Sequence, residues 1–234
     1  MRAKKNPNDF SFFEHLDELR GRLIKSLIAS AVASCIVYSY IDRLLLLVVH
    51  PVGKLVFTSP PDAFTARIKL TLVIGGILAF PYIIFQAWQF TASALSATEK
   101  KYIVFFVPLA CVAFLAGILF AYFVMLPISI RFLLSFSSEG MVPMITVNSY
   151  ISFVGTLLLA SGVVFELPLM MLFLTKMGIA TPAFLIQKRR HAIVLILIVS
   201  AVLTPPDVFT QLIMAIPLIA LYEIGIIVSR VACR

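Results

Sequence analysis

Long stretches in which apolar residues follow one another without interruption dominate this sequence. A bilayer-spanning helix needs about 20 such residues, and several stretches reach or approach that length. The chain is 61% hydrophobic and 13% charged, whereas a soluble domain carries about 25% charged residues. Strands of a membrane barrel would alternate apolar and polar residues, and these stretches do not. The sequence therefore predicts an all-α, polytopic membrane protein, and it excludes a soluble globule and a disordered chain.

Six candidate spans follow from these stretches. They are Leu23–Ile41, Ile68–Ala92, Tyr102–Leu126, Tyr150–Thr175, Ala192–Leu203 and Val208–Ser229. The fifth would extend only about 18 Å, and the run Thr204-Pro205-Pro206-Asp207 separates it from the sixth. We therefore expect one domain, residues 1–234, with four long spans followed by two short ones. Either the bilayer is thinner around the fifth span or neighbouring helices shield it.

Lysine and arginine are distributed unevenly between alternate connections. On one side lie 14 of the 19 basic residues: Arg2, Lys4, Lys5, Arg20, Arg22, Lys25, Lys100, Lys101, Lys176, Lys188, Arg189, Arg190, Arg230 and Arg234. Basic residues accumulate on the cytoplasmic side of membrane proteins, so we expect both termini to be cytoplasmic. An even number of spans agrees with this orientation. The net charge of +8 is then a feature of topology, and no nucleic-acid partner is expected.

An amphipathic segment, residues 11–25, precedes the first span. Phe12, Leu16, Leu19 and Leu23 recur at helical spacing and share one face. One interpretation is an interfacial helix that anchors the first span. The other is a docking surface that exposes carboxylates.

Two carboxylates lie on the expected cytoplasmic side, Glu18 in the amphipathic segment and Glu99 in the second connection. Glu18 also forms a favourably oriented i,i+4 pair with Arg22. Ser96-x-x-Glu99 fits a capping box, so a purely structural role for Glu99 stays open. A pair of carboxylates at an apolar boundary suits guanidinium ligands, because the planar arginine fork can donate two hydrogen bonds to one carboxylate.

The run His15-Leu16-Asp17-Glu18-Leu19-Arg20-Gly21-Arg22-Leu23 resembles the N-terminal signature of the TatC family, the large subunits of the twin-arginine protein translocase. The similarity continues through Phe165-Glu166-Leu167-Pro168, Leu203-Thr204-Pro205-Pro206-Asp207-Val208, Gln211, Ile216-Pro217 and Tyr222-Glu223-Ile224-Gly225. These motifs occur in family order and cover nearly the whole chain.

This resemblance implies a receptor for the Arg-Arg signal peptides of folded cargo, located in the cytoplasmic (inner) membrane. It implies that the protein acts together with the single-span subunits TatA and TatB, in a complex that contains several copies of it. It also implies that the protonmotive force drives transport and that no cofactor is bound. It also implies a cupped arrangement of helices, covered on the outer side by the connections at residues 42–67 and 127–149.

Individual family positions transfer to matching residues here. Those tied to signal-peptide binding are Glu18, Arg20, Phe90 and Glu99, and those in the external connections are Pro51 and Asp207. Asp207 also follows the double proline, where it is suited to capping the sixth helix. The apolar residues of the two external connections favour packing of one connection on the other.

Polar residues inside the spans form a second group of candidates. Glu166 lies about 15 Å into the fourth span by helical rise. An ionised carboxylate there costs at least ~2.5 kcal/mol, so Glu166 should face a cavity or a polar partner, or be protonated. Pro168 leaves the carbonyl of Val164 without its usual helical bond. Gln211 and Thr210, near the outer end of the sixth span, can donate hydrogen bonds between helices.

Enzymatic functions find little support. The sequence contains no HExxH, GxSxG or P-loop motif, and its three cysteines form no metal-binding pattern. The main alternative is a proton-coupled secondary transporter with Glu166 as its intramembrane site. Such a transporter often contains an inverted repeat, and none is evident in the sequence.

Overall fold

The computed structural model describes residues 12–53, 55–93, 101–135, 144–203 and 208–232. Regular structure in these ranges is helical, and no strand of more than one bridging pair occurs in them. The helices are α1 Phe12–Tyr38, α2 Ile41–Val49, α3 Pro60–Ser93, α4 Lys101–Phe120, α5 Leu126–Ser135, α6 Val147–Val164, α7 Leu167–Lys176, α8 Pro182–Gln187, α9 Arg189–Leu203 and α10 Val208–Ala232. A π-helical turn, Ala121–Met125, joins α4 to α5. The all-α fold class is confirmed.

Five helical stretches in the described ranges are long and apolar enough to cross a bilayer. They are His15–Tyr38, Pro60–Thr91, Phe105–Leu134, Val147–Lys176 and Val208–Val231. Many leucine, isoleucine, valine and phenylalanine side chains on these stretches are exposed on the protein surface. A soluble monomer rarely exposes so much contiguous apolar surface, whereas lipid tails would cover it.

The N-terminal amphipathic segment is not a separate helix. The 27-residue α1 runs from Phe12 to Tyr38 without a break, so the expected boundary before the first span is wrong. Leu16, Leu19 and Leu23 are exposed, which shows that the apolar face of this segment turns away from the bundle. The apolar face continues from the amphipathic segment into the span. The sequence where the two meet contains no proline or other residue that would end a helix.

The second span begins earlier than expected. α3 starts at Pro60, and the carboxylate of Asp62 accepts hydrogen bonds from the backbone N–H groups of Thr58 and Ser59, both at 3.1 Å. Prolines in the first helical turn cost no hydrogen bond, because those N–H groups have no partner in the helix. The connection at residues 42–67 therefore consists largely of helix, namely α2 and the first two turns of α3.

Only one of the last two spans is short. α9 contains 15 residues, about 22 Å of helix, but α10 contains 25, about 37 Å. The expectation that both are short is wrong for α10. Pro217 lies inside α10 without ending it, and Glu223 is paired with Arg189 at 2.6 Å.

The fourth span is two helices in sequence. α6 ends at Val164, Phe165 and Glu166 form a turn, and α7 begins at Leu167 with Pro168 in its first turn. Pro168 lacks the N–H that would bond to the carbonyl of Val164, and it stands in the first turn of a new helix, where no such bond is needed. Glu166 consequently sits at a helix joint rather than on a continuous helical face.

α1 packs mainly against α3, and their close approach positions the polar residues described below. The contact is closest at Gly75, where an added Cβ would lie 2.1 Å from Ser34 Oγ and 2.7 Å from Ser34 Cα. Only glycine fits such a backbone approach.

The connections at residues 42–67 and 127–149 contact each other, as their composition predicts. The N–H of Val56 donates to the carbonyl of Ile145, and the N–H of Val147 donates to the carbonyl of Val56, both at 3.0 Å. The hydroxyl of Tyr150 donates to the carbonyl of Val48 at 2.7 Å, and that of Tyr122 to the carbonyl of Leu47 at 2.9 Å. We call this set of contacts, which lies where α1 ends and α3 begins, the cap.

Candidate functional site

A group of mostly polar side chains lies at the other end of the α1–α3 pair, where α1 begins and α3 ends. We call it the α1–α3 polar cluster, and its members are His15, Glu18 and Arg22 of α1 with Gln86, Gln89 and Phe90 of α3. The antiparallel packing of the two helices brings these residues together, although more than 60 positions separate them in the chain.

Arg22 is the centre of the cluster. Its Nε and Nη2 donate to Oε1 of Glu18 at 2.9 and 2.5 Å. Its Nη1 donates to Oε1 of Gln89 at 2.6 Å, with a longer contact of 3.3 Å to Oε1 of Gln86. The sequence-predicted pair of Glu18 and Arg22 is thus formed, and two amides of α3 extend it.

The ion pair is partly withdrawn from solvent, since the side chains of Arg22 and Glu18 are only 21% and 24% exposed. Exposed ion pairs contribute little because water and salt screen them. Hydrogen bonds to charged groups that are partly desolvated are stronger, about 1.5–3 kcal/mol each. The carboxylate of Glu18 is therefore held in a place where a cation is bound with appreciable strength.

His15 and Phe90 complete the cluster. Their rings stack with centroids 4.4 Å apart and planes inclined by 24°. Glu18 and Phe90, both expected at a binding site, therefore lie at the same end of the helix pair. Arg20 is exposed on α1, outside the set of contacts around Arg22. Glu99 lies outside the described residues.

Sequence reasoning missed Gln86 and Gln89. Their signal is visible in retrospect: two amides spaced i,i+3 near the end of an otherwise apolar span need hydrogen-bond partners on a neighbouring helix. Arg22 was recognised only as the partner of Glu18, and its reach to α3 depends on tertiary packing.

Glu166 borders a cavity of about 270 Å³ between α3 and α7. Apart from Glu166, the cavity is lined by Ile84, Ala87, Trp88 and Thr91 of α3 and by Leu169, Met170, Phe173 and Leu174 of α7. Oε1 of Glu166 is buried and has no hydrogen-bond partner among the described residues. The carboxylate thus faces a cavity, as expected, but the polar protein partner is not found in the described part of the chain. The space is large enough for water to bind there.

The remaining predicted residues are dispersed. Gln211 donates from Nε2 to the carbonyl of Leu197 at 3.1 Å and so joins α10 to α9. Thr210 beside it is fully buried. Pro51 is exposed in the turn after α2. Asp207, expected in the last external connection, lies outside the described residues.

Known proteins share this architecture and sequence. The family model for the Sec-independent protein translocase protein (TatC) matches residues 14–217. The TatC protein of Carboxydothermus hydrogenoformans is 42% identical over 225 residues, covering 94% of this chain and 93% of that protein. TatC of Aquifex aeolicus is 40% identical over 232 residues, covering 94% and 95%. A crystal structure of the twin-arginine translocase receptor TatC matches with a TM-score of 0.86 and 38% identity, over 94% of this chain and 100% of that one. The chain therefore belongs to the TatC family and is a multi-pass membrane component of the Sec-independent protein translocase.

Proposed function

We propose that this chain is the receptor for Arg-Arg signal peptides of folded cargo, and that the α1–α3 polar cluster is part of the binding site. The observation that carries the proposal is Glu18, a carboxylate that is partly desolvated and already binds a guanidinium group. The related crystal structure is described as a twin-arginine translocase receptor, which supports the same role here. Glu18, Arg20, Phe90 and Glu99 are the proposed binding residues.

Two arginines in a signal peptide require two acceptor groups. Glu18 supplies one and Glu99, in the connection after α3, supplies the other. Each charge-assisted contact contributes about 1.5–3 kcal/mol when partly desolvated, which corresponds to roughly 10- to 100-fold in affinity. Lysine peptides should bind less well, because an ammonium group lacks the planar fork of guanidinium.

The test is binding of a fluorescent Arg-Arg signal peptide to the full chain in lipid nanodiscs. Glu18→Gln and Glu99→Gln should each weaken binding, and the double variant should bind more weakly by about 10-fold or more. Asp17→Asn is the matched control, because it removes the same charge from an exposed neighbour on α1. Unchanged binding in both single variants and in the double variant would contradict the proposal.

We further infer six spans in one domain, residues 1–234, with both termini on the cytoplasmic side of the inner membrane. Five long helices supply five spans, and α9, which packs on α10, supplies the sixth. Arg190 would then be cytoplasmic and Phe57 external. Cysteines placed at these two positions should react with an impermeant thiol reagent from opposite sides of membrane vesicles, and labelling from the same side would refute the topology.

We infer that the chain works with TatA and TatB, in several copies, and that the protonmotive force drives transport without a catalytic reaction. Glu166 and Gln211 support contact with a single-span subunit, because polar groups within spans can hydrogen-bond to a partner helix or to an inserted peptide. Glu166→Gln should preserve transport if hydrogen bonding is sufficient, whereas Glu166→Leu should impair transport at unchanged protein level. Normal transport by Glu166→Leu would exclude a working role for this carboxylate.

A further inference from the structure

The guanidinium group of Arg22 is surrounded by acceptors from two helices. Nε and Nη2 point to the carboxylate of Glu18 on α1, while Nη1 points to the side-chain oxygens of Gln86 and Gln89 on α3. All three nitrogens of the group are engaged. Arginine presents its donors along the edges of a rigid plane, so acceptors placed at two edges of that plane fit arginine better than the compact ammonium of lysine.

Gln86 and Gln89 lie near the end of α3, which is otherwise apolar. Burying their amides there without hydrogen-bond partners would be unfavourable. Gln86 is only 6% exposed, and its neighbours in α3 are mostly apolar. The arrangement is thus a guanidinium-binding cradle within the bundle, and one residue of the chain itself fills it.

We propose that Glu18, Gln86 and Gln89 form this cradle, that Arg22 occupies it in the free protein, and that one arginine of the signal peptide replaces Arg22 there. The inference rests on the proposed function, since it takes Glu18 to be a signal-peptide contact. It adds two recognition residues, Gln86 and Gln89. It also gives Arg22 a distinct role as an internal competitor.

Replacement of Arg22 requires no helix movement. Arg22 is 21% exposed and lies one turn from solvent-facing residues of α1, so its flexible stem can carry the charged group outwards. The incoming arginine then makes the contacts that Arg22 gives up. Net affinity is lower than the contacts alone would provide, because every peptide must first displace the internal arginine.

The direct test compares Arg22→Gln with the wild type in the nanodisc binding experiment. Arg22→Gln vacates the cradle, so the Arg-Arg peptide should bind about 3- to 10-fold more tightly. Lys25→Gln is the matched control, because it removes one positive charge from an exposed position on the same helix and should change binding less than about 2-fold. Affinity of Arg22→Gln equal to or weaker than that of Lys25→Gln would overturn the inference.

Gln89→Leu provides an independent reading. In the wild type, Gln89→Leu weakens the binding of the peptide arginine to the cradle and that of Arg22 by similar factors. The two effects on peptide affinity therefore largely cancel. In the Arg22→Gln background the competitor is absent, and Gln89→Leu should weaken peptide binding about 5-fold or more. Equal effects of Gln89→Leu in both backgrounds would show that Arg22 and the peptide do not share the cradle.

Two controls separate the possible failures. If the wild type does not prefer Arg-Arg over Lys-Lys peptides, or if Glu18→Gln does not weaken peptide binding in the Arg22→Gln background, where no competitor offsets the loss, the proposed function itself is wrong. If both of those results are as expected but Arg22→Gln gains nothing, only the competitor role is wrong. Should Arg22→Gln fail to fold, Arg22→Lys retains the charge and the stem, and it should still bind more tightly than the wild type; equal or weaker binding would overturn the inference.

Discussion

The α1–α3 polar cluster and the cap lie at opposite ends of the same helix pair, and they differ in where their hydrogen-bond acceptors come from. In the cluster, the acceptors of Arg22 are the side chains of Glu18, Gln86 and Gln89. In the cap, the acceptors are backbone carbonyls, such as that of Val48. Side-chain acceptors can exchange one cation for another, whereas backbone carbonyls held by tyrosine hydroxyls maintain a fixed shape. The comparison indicates that one end is built for exchange and the other for rigidity.

The largest effect should come from separating the two helices that carry both ends. Gly75→Ala places a methyl group against the backbone of Ser34, so α1 and α3 must move apart. We expect the free energy of unfolding to fall by about 1–3 kcal/mol and peptide binding to weaken as the cluster spreads. Thermal unfolding and peptide binding in nanodiscs measure the two effects.

Gly76→Ala is the matched control for Gly75→Ala. Nothing lies within 4 Å of the position that its Cβ would occupy, and alanine favours the helix. Its stability should equal or slightly exceed that of the wild type. Equal loss of stability in both variants would show that helix packing at Gly75 does not position the cluster.

A smaller effect should follow from Tyr150→Phe, which removes the buried hydroxyl that donates to the carbonyl of Val48. Loss of this hydrogen bond should lower the free energy of unfolding by about 0.5–1.5 kcal/mol. Tyr122→Phe removes the same kind of bond at an exposed position, so its cost should be lower. Peptide binding should be unchanged in both variants, and a loss of binding in Tyr150→Phe would show that the two ends are coupled.

The smallest effect should come from Asp42→Asn, which removes the ion pair between Asp42 of α2 and Arg67 of α3. The atoms are 2.8 Å apart, but the side chains are 74% and 44% exposed. We expect a change below about 0.5 kcal/mol in the free energy of unfolding, vanishing at high salt. A larger change that persists in salt would mean that the cap also depends on charged side chains.

The apolar stretches and the charged motif were sufficient to predict the all-α class, most of the spans and the pair of Glu18 with Arg22. These features depend on composition and on spacing within one helix. The continuity of α1 was not predicted, because an amphipathic segment and a span differ in surroundings rather than in backbone preference. The early start of α3 was missed because Asp62 and Arg67 interrupt the apolar stretch without interrupting the helix.

The parts of the candidate site that required the structure are those that join different helices. Gln86 and Gln89 become meaningful only once α3 lies against α1. The tyrosine contacts of the cap could not be predicted from the sequence either. Every residue has a backbone carbonyl, so the residue type does not indicate which carbonyl accepts the hydrogen bond.

The pairing of Val56 with the segment around Thr146 has a consequence for cooperative unfolding. The two segments are far apart in the chain, so their contact closes a loop that contains α3, α4 and α5. The entropy lost on closing a loop grows only slowly with its length, so two backbone hydrogen bonds and the adjoining tyrosines can hold even a large one. Breaking these contacts would restore the conformational freedom of the whole loop, and with it that of all three helices at once. The enclosed helices should therefore exchange their amide hydrogens as one unit, rather than fraying separately from their ends.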